Sequence, residues 1–587
     1  MRRNRRNRQN RQSKPGPFEQ EIGSYRKKWK NKLPVALVFP NSYYLGMSNL
    51  GFQLVYSLLN SDDDLVCERV FYESGVTPHS IESNRLLKDF PVIMFSVSFE
   101  DDFPNIPGVL SAGGLEPFSA ARSENSETIQ AGSPLVIGGG VATLINPEPL
   151  APFVDLFIIG EFEPVVDDLA VYLKQLYPSG HKQALLEEMS QALPGAYVPS
   201  LYRPQYDDRG QIESVAVAGN APARIKKIQC LEKTVAGHSQ ILTEETEFSN
   251  IHLVELGRGC SRSCRFCAAG YVYRRPRLWN SEAVISAVTA RRELGGESRV
   301  GLLGMEMASP EDLQAISGHL LDENCSLSFS SLRADMVGGP LLDLLKASNL
   351  KTAVIAPDGG SERLRRVINK GITSQDCLSA ALSLVDAGIG TLKMYFMIGL
   401  PTEEEADIDG LISLVRQIQG AINTIGRKKG KLTQIHLSIN CFVPKAWTPF
   451  QYHPFEAVEK LKKKISYLRR EFAGFNNLKV SVGHPDTAHF QAVFARGDRR
   501  AGMLLPEIAK HPKGWKKIFD QHDLDPSFYA RRRRSLSEIF PWDIIDHGIS
   551  HEYLWKEYEL ALAGKTSATC GAGLASGKCR KCGVCHD

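Results

Sequence analysis

Short, nearly continuous apolar runs separated by stretches of helical period recur along most of the chain. LPVALVF (33–39) is the first, closing at Pro40-Asn41-Ser42. GMSNLGFQLVYSLLN (46–60) comes next with helical spacing and stop signals at Asn60 and Ser61. PVIMFSVSF (91–99), PLVIGGG (134–140) and VDLFIIG (154–160) repeat the strand pattern. Apolar strands alternating with helices predict a doubly wound parallel sheet over residues 33–225. Each strand ends in small or polar residues: Ser96 and Ser98, then Gly138, Gly139 and Gly140, then Gly160 and Glu161. Ligands of such sheets bind beyond the carboxyl ends of the strands, so these loops predict a pocket. Turns rich in Pro and Gly around 199–225 suggest the domain's end, and 226–245 reads as a linker.

A second alternation fills 246–470. IHLVEL, SRVGLLGM, SLSFSSLR, KTAVIAP, TLKMYFMIGL and TQIHLSINCF read as six strands, each followed by a helix or turn. That predicts a parallel partial (βα)6 barrel of the TIM type. Residues 471–565 turn helical and charged, and 566–587 form a Cys-rich tail. The expected class is therefore α/β, with a Rossmann-like N-terminal domain, a partial barrel and a helical C-terminal region. No repeat of fixed period is found.

Composition changes this picture at two points. The 43% apolar and 23% charged content of the 587 residues is that of a globular protein, and excludes collagen-like and wholly disordered chains. No apolar run approaches the roughly 18 residues a membrane helix needs, so no membrane span is expected. The net charge of +4 hides an asymmetry. Residues 1–32 hold twelve Lys/Arg against Glu19 and Glu21, a net of +10, which leaves −6 on the rest. This arm, with almost no apolar content, is expected to be a disordered basic tail.

Seven of the twelve cysteines fall into two clusters: Cys260, Cys264 and Cys267, and Cys570, Cys579, Cys582 and Cys585. MRRNRRNRQNRQ has no apolar signal segment behind it, so the expected compartment is the cytoplasm. There, clustered cysteines read as metal ligands rather than disulfides. GRGCSRSCRFC (257–267) has the spacing C-x3-C-x2-C directly after the first barrel strand. Three thiolates are one too few for the four-cysteine set of an ordinary iron–sulfur cluster, and would leave one iron open. A zinc knuckle would want a fourth Cys or His, and none follows Cys267 closely.

This motif, with Phe266 before the last cysteine, resembles the signature of the radical S-adenosylmethionine superfamily. The resemblance implies a [4Fe–4S] cluster whose open iron chelates S-adenosylmethionine, cleaved to a 5′-deoxyadenosyl radical with an electron from a donor such as flavodoxin or ferredoxin. Further segments resemble the family's in order. Gly304-Met305-Glu306 stands at its Gly-Gly-Glu strand end, the middle residue departing from the pattern. Arg333 in SLRAD is implied to meet the methionyl carboxylate. PDGGSERLRRVINKGIT (357–373) resembles the Glu-Ser-Gly-Ser segment, with Asp358 in place of Glu and Ser361 following. Gly399 in MIGLPTE resembles the loop beside the adenine.

The N-terminal block is similar to cobalamin-binding members of the superfamily, through PNSYYLGMSNLG (40–51), FSVSF (95–99) and 137–164. Ser96, Ser98 and Gly138–Gly140 are thereby implied to line the cofactor's pocket. D-x-H-x-x-G is absent, so three readings stand: cobalamin without a histidine ligand, a domain that has lost the cofactor, or a structural domain that positions substrate. From about residue 33 the chain resembles a bacterial family of uncharacterised cobalamin-binding radical proteins that end in a Cys-rich tail.

In the tail, C-x8-C-x2-C-x2-C resembles ferredoxin loops more than zinc ribbons. An auxiliary iron–sulfur cluster, structural zinc, or a redox or disordered tail are the readings, with His586 an adjacent donor. The basic arm reads as a solvated tail or, with Arg531–Arg534, as a salt-dependent phosphate contact that permits an RNA substrate. Cys67, Cys325 and Cys377 read as buried or incidental thiols. Cys441 and Tyr395 lie on late strands and read as core or cleft. The expected activity is cobalamin-dependent methyl transfer to an unactivated centre. The alternatives are radical rearrangement, cyclisation or sulfur insertion, or a non-catalytic cofactor-binding sensor or RNA-binding protein.

Overall fold

The computed structural model describes residues 17–176, 181–295, 299–304, 306, 309–329, 331–348, 350–570, 579 and 582–585. The first half of the basic arm, Met305 and His586 lie outside the described residues.

The N-terminal sheet contains β1 (Leu33–Phe39), β2 (Leu65–Phe71), β3 (Val92–Ser96), β4 (Leu135–Gly139), β5 (Leu156–Ile158) and β6 (Ala196–Tyr197), in the order β2-β1-β3-β4-β5-β6. All neighbours are parallel except β5 and β6. Every residue of β1 is buried, as a strand covered by helices on both faces requires. The strand order reverses between β1 and β3. A crevice therefore opens beyond their carboxyl ends, where the connections diverge to opposite faces.

β2 carries a buried Glu68 and Arg69 in its centre. Arg69 is forked between Glu82 (2.7 Å) and Glu21 (2.6 Å), so a buried cation is neutralised by a carboxylate from the N-terminal arm. The arm is consequently not disordered over 17–32. Trp29 donates to Glu68 (2.7 Å) and meets the Phe90 ring edge-on at 4.8 Å, while the Lys27 ammonium caps the carbonyls of Asn60 and Asp62. Composition marks this segment as solvated because it counts charges without their partners.

Residues 202–217 form an antiparallel hairpin where turns were expected. Ile225 and Lys226 then pair with Ile545 and Asp546, which stitches the linker to the C-terminal region.

The barrel comprises β7 (His252–Glu255), β8 (Arg299–Leu303) and β9 (Ser326–Phe329), then β10 (Thr352–Asp358), β11 (Thr391–Ile398), β12 (Gln434–Cys441) and β13 (Leu478–Val482). All pairs are parallel, and a bridge from Leu332 to Ile355 joins the two groups. The six expected strands are present, and β13 adds a seventh beyond the expected boundary at 470. It pairs with β12 from Ile435–Leu478 to Ile439–Val482. On β11, Leu392, Met394, Phe396 and Ile398 are buried, while Tyr395 faces the other way and is 37% exposed. Cys441 is in the core, as are Cys67, Cys325 and Cys377. Apart from the short strand Ile545–Asp546, the elements that follow are helical, the last helix among the described residues being His551–Leu562.

Candidate active site at the end of the first barrel strand

The cysteine triad lies on the loop that leaves β7. The loop's ends are clipped together where Gly257 and Arg258 pair with Leu278 and Arg277. Gly259 has φ +85°, and a Cβ there would lie 2.8 Å from the Tyr273 carbonyl, so only glycine allows the chain to fold back on itself. None of the cysteines is in a disulfide. The Cys267 amide donates to the Cys264 carbonyl (3.1 Å), which makes the C-x2-C segment one tight turn.

Buried cations brace this loop. Arg265, between the last two cysteines, is fully buried; its guanidinium reaches Glu557 (3.1 Å), Ser567 (2.8 Å) and the Val367 carbonyl (2.8 Å). Arg274 donates to the Ser263 hydroxyl (2.7 Å) and the Gly270 carbonyl (2.9 Å). Lys227 caps the carbonyls of Val272 (2.7 Å) and Arg274 (2.6 Å), and burial pushes its ammonium down to about 7. Burial pushes the Cys260 thiol up to about 12 and raises Cys264 and Cys267 as well. The Lys370 ammonium opposes the rise at Cys264 and Cys267.

The expected contact residues divide into two sets. Arg333 and Asp358 lie with Lys370 within electrostatic reach of Cys264. Lys370 is paired with Asp358 at 2.6 Å, and Arg333 donates to Asp335 (2.9 Å) and to the Lys370 carbonyl (2.9 Å). Glu306 accepts from the Ser261 amide (2.9 Å) and hydroxyl, so it caps the triad loop, with Gly304 beside it. Ser361 stands apart as the cap of the helix Glu362–Val367, accepting from the Leu364 amide (3.1 Å) and donating to Asp407. Gly399, at φ +81°, donates to Glu403 (2.9 Å).

Ser96, Ser98, Gly138, Gly139 and Gly140 share one cleft above the N-terminal sheet. Its far wall is Glu255, Gly257, Arg258 and Tyr273, so the cleft opens onto the loop that bears the triad. Arg258 stands there between Glu163 (2.7 Å), Glu255 (3.0 Å) and Glu161 (3.3 Å), whose carboxylates outweigh burial and hold it cationic. A Cβ on Gly138 would strike the Phe157 ring at 2.7 Å. One on Gly139 would find only the Ile158 carbonyl, at 3.8 Å, so that backbone is open to a ligand.

Residues 254–415 match the model of the radical SAM superfamily, and residues 51–199 match that of the N-terminal domain of radical SAM proteins. The chain is a radical SAM protein. An uncharacterised protein of Methanocaldococcus jannaschii is 26% identical over 480 residues, 81% of this chain and 91% of that one. Among solved structures, the fold is similar to the cobalamin-dependent S-adenosylmethionine radical enzyme OxsB with aqua-cobalamin and S-adenosylmethionine bound. That alignment has 13% identity, covers 91% of this chain and 79% of OxsB, and has a TM-score of 0.46. With apo OxsB the identity is 17%, the coverage 65% of this chain and 51% of that one, and the TM-score 0.42; the chain spans about half of that protein in this alignment.

A radical SAM protein takes a [4Fe–4S] cluster and S-adenosylmethionine. Among the described residues, no three His, Cys, Asp or Glu side chains converge as ligands of a single ion. A cluster does not ask for that convergence, because each thiolate takes a different iron. Three thiols on one tightly braced loop fit it: Lys370 favours the deprotonated form of Cys264 and Cys267, and Arg333 that of Cys264. Arg265, Lys370 and Glu557 were not singled out from sequence. Lys370 lies in NKGIT within the matched segment, but its partner is twelve residues away; Glu557 lies 292 residues from Arg265. No helix among the described residues is long and apolar enough to cross a membrane.

Proposed function

We propose that this radical SAM enzyme is a cobalamin-dependent methyltransferase, with its cluster on Cys260, Cys264 and Cys267 and its corrin in the cleft above Gly138–Gly140. The observation that carries this reading is the cleft itself. It joins the glycine-bearing strand ends of one domain to Glu255, Gly257 and Arg258, just before the triad in the other, and to Tyr273 after it. When bound, the cluster supplies the electron that cleaves S-adenosylmethionine, and the corrin supplies the methyl group.

The chain's residues hold these groups facing one another. Arg333 and Lys370, beside Cys264, are the cations for the methionyl carboxylate, and Asp358 keeps Lys370 charged. Burial works against the Lys370 ammonium, but Asp358 and the Cys264 thiol outweigh it and hold it above the ordinary lysine range. Gly399, with φ +81°, turns the loop after β11, where a backbone contact to the adenine is proposed. Ser96, Ser98 and the Gly138–Gly140 backbone present a polar, open wall to the corrin's tail. Glu161, Glu163, Glu255 and Arg258 keep the wall between the two sites charged and cross-linked. A soluble one-electron carrier and a cytoplasmic setting complete the reading.

The test is anaerobic turnover by reconstituted protein from cobalamin-fed cells. The expected result is reductant-dependent 5′-deoxyadenosine with S-adenosylhomocysteine formed in step, and a corrin absorbance in the purified protein. 5′-Deoxyadenosine without S-adenosylhomocysteine would replace methyl transfer by rearrangement or cyclisation.

A further inference from the structure

The Cys-rich tail is anchored against the triad loop. The Cys570 amide donates to the Ser261 carbonyl at 2.6 Å, one residue from Cys260. Just before it, Ser567 donates its amide to Asn369 (2.8 Å) and its hydroxyl to Glu557 (2.7 Å), the carboxylate that also holds Arg265. The tail's other end is fixed as firmly. The Cys582 carbonyl accepts from the Ser550 amide (2.9 Å), and Gly583, at φ +103°, packs so tightly that a Cβ would lie 2.5 Å from the Gly548 carbonyl.

These anchors hold both ends of the cysteine run in place. Cys570 and Cys582 are buried, Cys585 is half-buried and Cys579 is exposed. Cys585 lies within electrostatic reach of the other three and of Arg275, and Cys582 within reach of Arg274. The buried Cys582 and the half-buried Cys585, each within electrostatic reach of one guanidinium group, suit a negatively charged metal–thiolate centre. The spacing C-x8-C-x2-C-x2-C has the continuous run of a ferredoxin loop, not the two separated knuckles of a zinc ribbon.

We infer that Cys570, Cys579, Cys582 and Cys585 hold a second iron–sulfur cluster, seated against the triad loop through the Cys570–Ser261 hydrogen bond. The exposed Cys579 is the side that a low-potential one-electron carrier of flavodoxin or ferredoxin type can approach. One electron enters the second centre and one leaves it towards the triad loop; no bond or proton moves. Only this electron route rests on the function proposed above. The metal site does not.

The test is the iron and zinc content, with electron paramagnetic resonance, of the full-length chain reconstituted anaerobically. Two clusters' worth of iron is expected, with spin coupling between the reduced centres. Cys582→Ala/Cys585→Ala should lose one cluster's iron and the coupling while the other signal persists. Cys260→Ala/Cys264→Ala/Cys267→Ala should lose the complementary signal and retain the tail's. Zinc in place of iron, or an iron content indifferent to the tail substitutions, would overturn the inference. Two uncoupled clusters would leave the site standing and remove the electron route. Failure of the proposed methyl transfer would leave these metal counts as they are.

Discussion

The two parallel sheets are built alike and prepare their ligand ends in opposite ways. The N-terminal sheet makes room by leaving side chains out. Gly138 and Gly139 end β4 and Gly140 follows it, and a Cβ on Gly139 would have nothing nearer than 3.8 Å, so a broad, flat ligand can lie against backbone there. The first barrel strand does the reverse. It sends out a loop crossed by Arg265 and Arg274, both fully buried, and Arg265 is bonded to acceptors 102 and 292 residues away in sequence. An ionic scaffold suits ligands that must be held at fixed separation, whereas an empty wall suits a cofactor that brings its own shape. The difference shows that one α/β alternation can serve as a tray or as a clamp, according to the loop that each strand sends out.

The clamp should break hardest. Arg265→Met strips Glu557 of its guanidinium and leaves the Val367 carbonyl and the Ser567 hydroxyl without their donor. We expect a loss on the order of 3–5 kcal/mol in thermal unfolding, as for one partner removed from a buried pair. Iron bound at the triad should fall with it, and Arg265→Lys should restore little, since an ammonium cannot fork to the same acceptors. An unchanged melt would show that the loop does not depend on this brace.

The tray should divide by position. Gly140→Ala puts a Cβ at φ +107°, 2.5 Å from the Val97 carbonyl, and should cost about 1–3 kcal/mol. Gly139→Val meets only open cleft at its Cβ and should stay within about 0.5 kcal/mol of the parent while losing corrin, read as absorbance of the purified protein. Equal destabilisation by the two would mean that the Gly139 backbone is packed rather than open.

Much of this was legible in the chain. The run LPVALVF coincides with β1 from Leu33 to Phe39, because a strand buried on both faces is apolar throughout. The triad was legible for a different reason: metal ligands on one loop keep their spacing in sequence. What escaped depends on partners distant along the chain. β2 was missed because Glu68 and Arg69 interrupt its apolar run, and only Glu21 and Glu82 explain how Arg69 can be buried. β13 was missed because Leu478-Lys479-Val480-Ser481-Val482 alternates over a single short edge strand. The anchoring of the tail on Ser261 leaves no trace in local pattern, since Ser261 and Cys570 are 309 positions apart.

The central claim is that the triad holds a cluster with one iron open to S-adenosylmethionine. It is tested most directly by the electron paramagnetic resonance of the reduced protein before and after that compound is added. We expect one cluster signal to shift on addition, and the shifting component to be missing in Cys264→Ala. A triad cluster that reduces fully and keeps its signal unchanged at saturating S-adenosylmethionine would contradict the account.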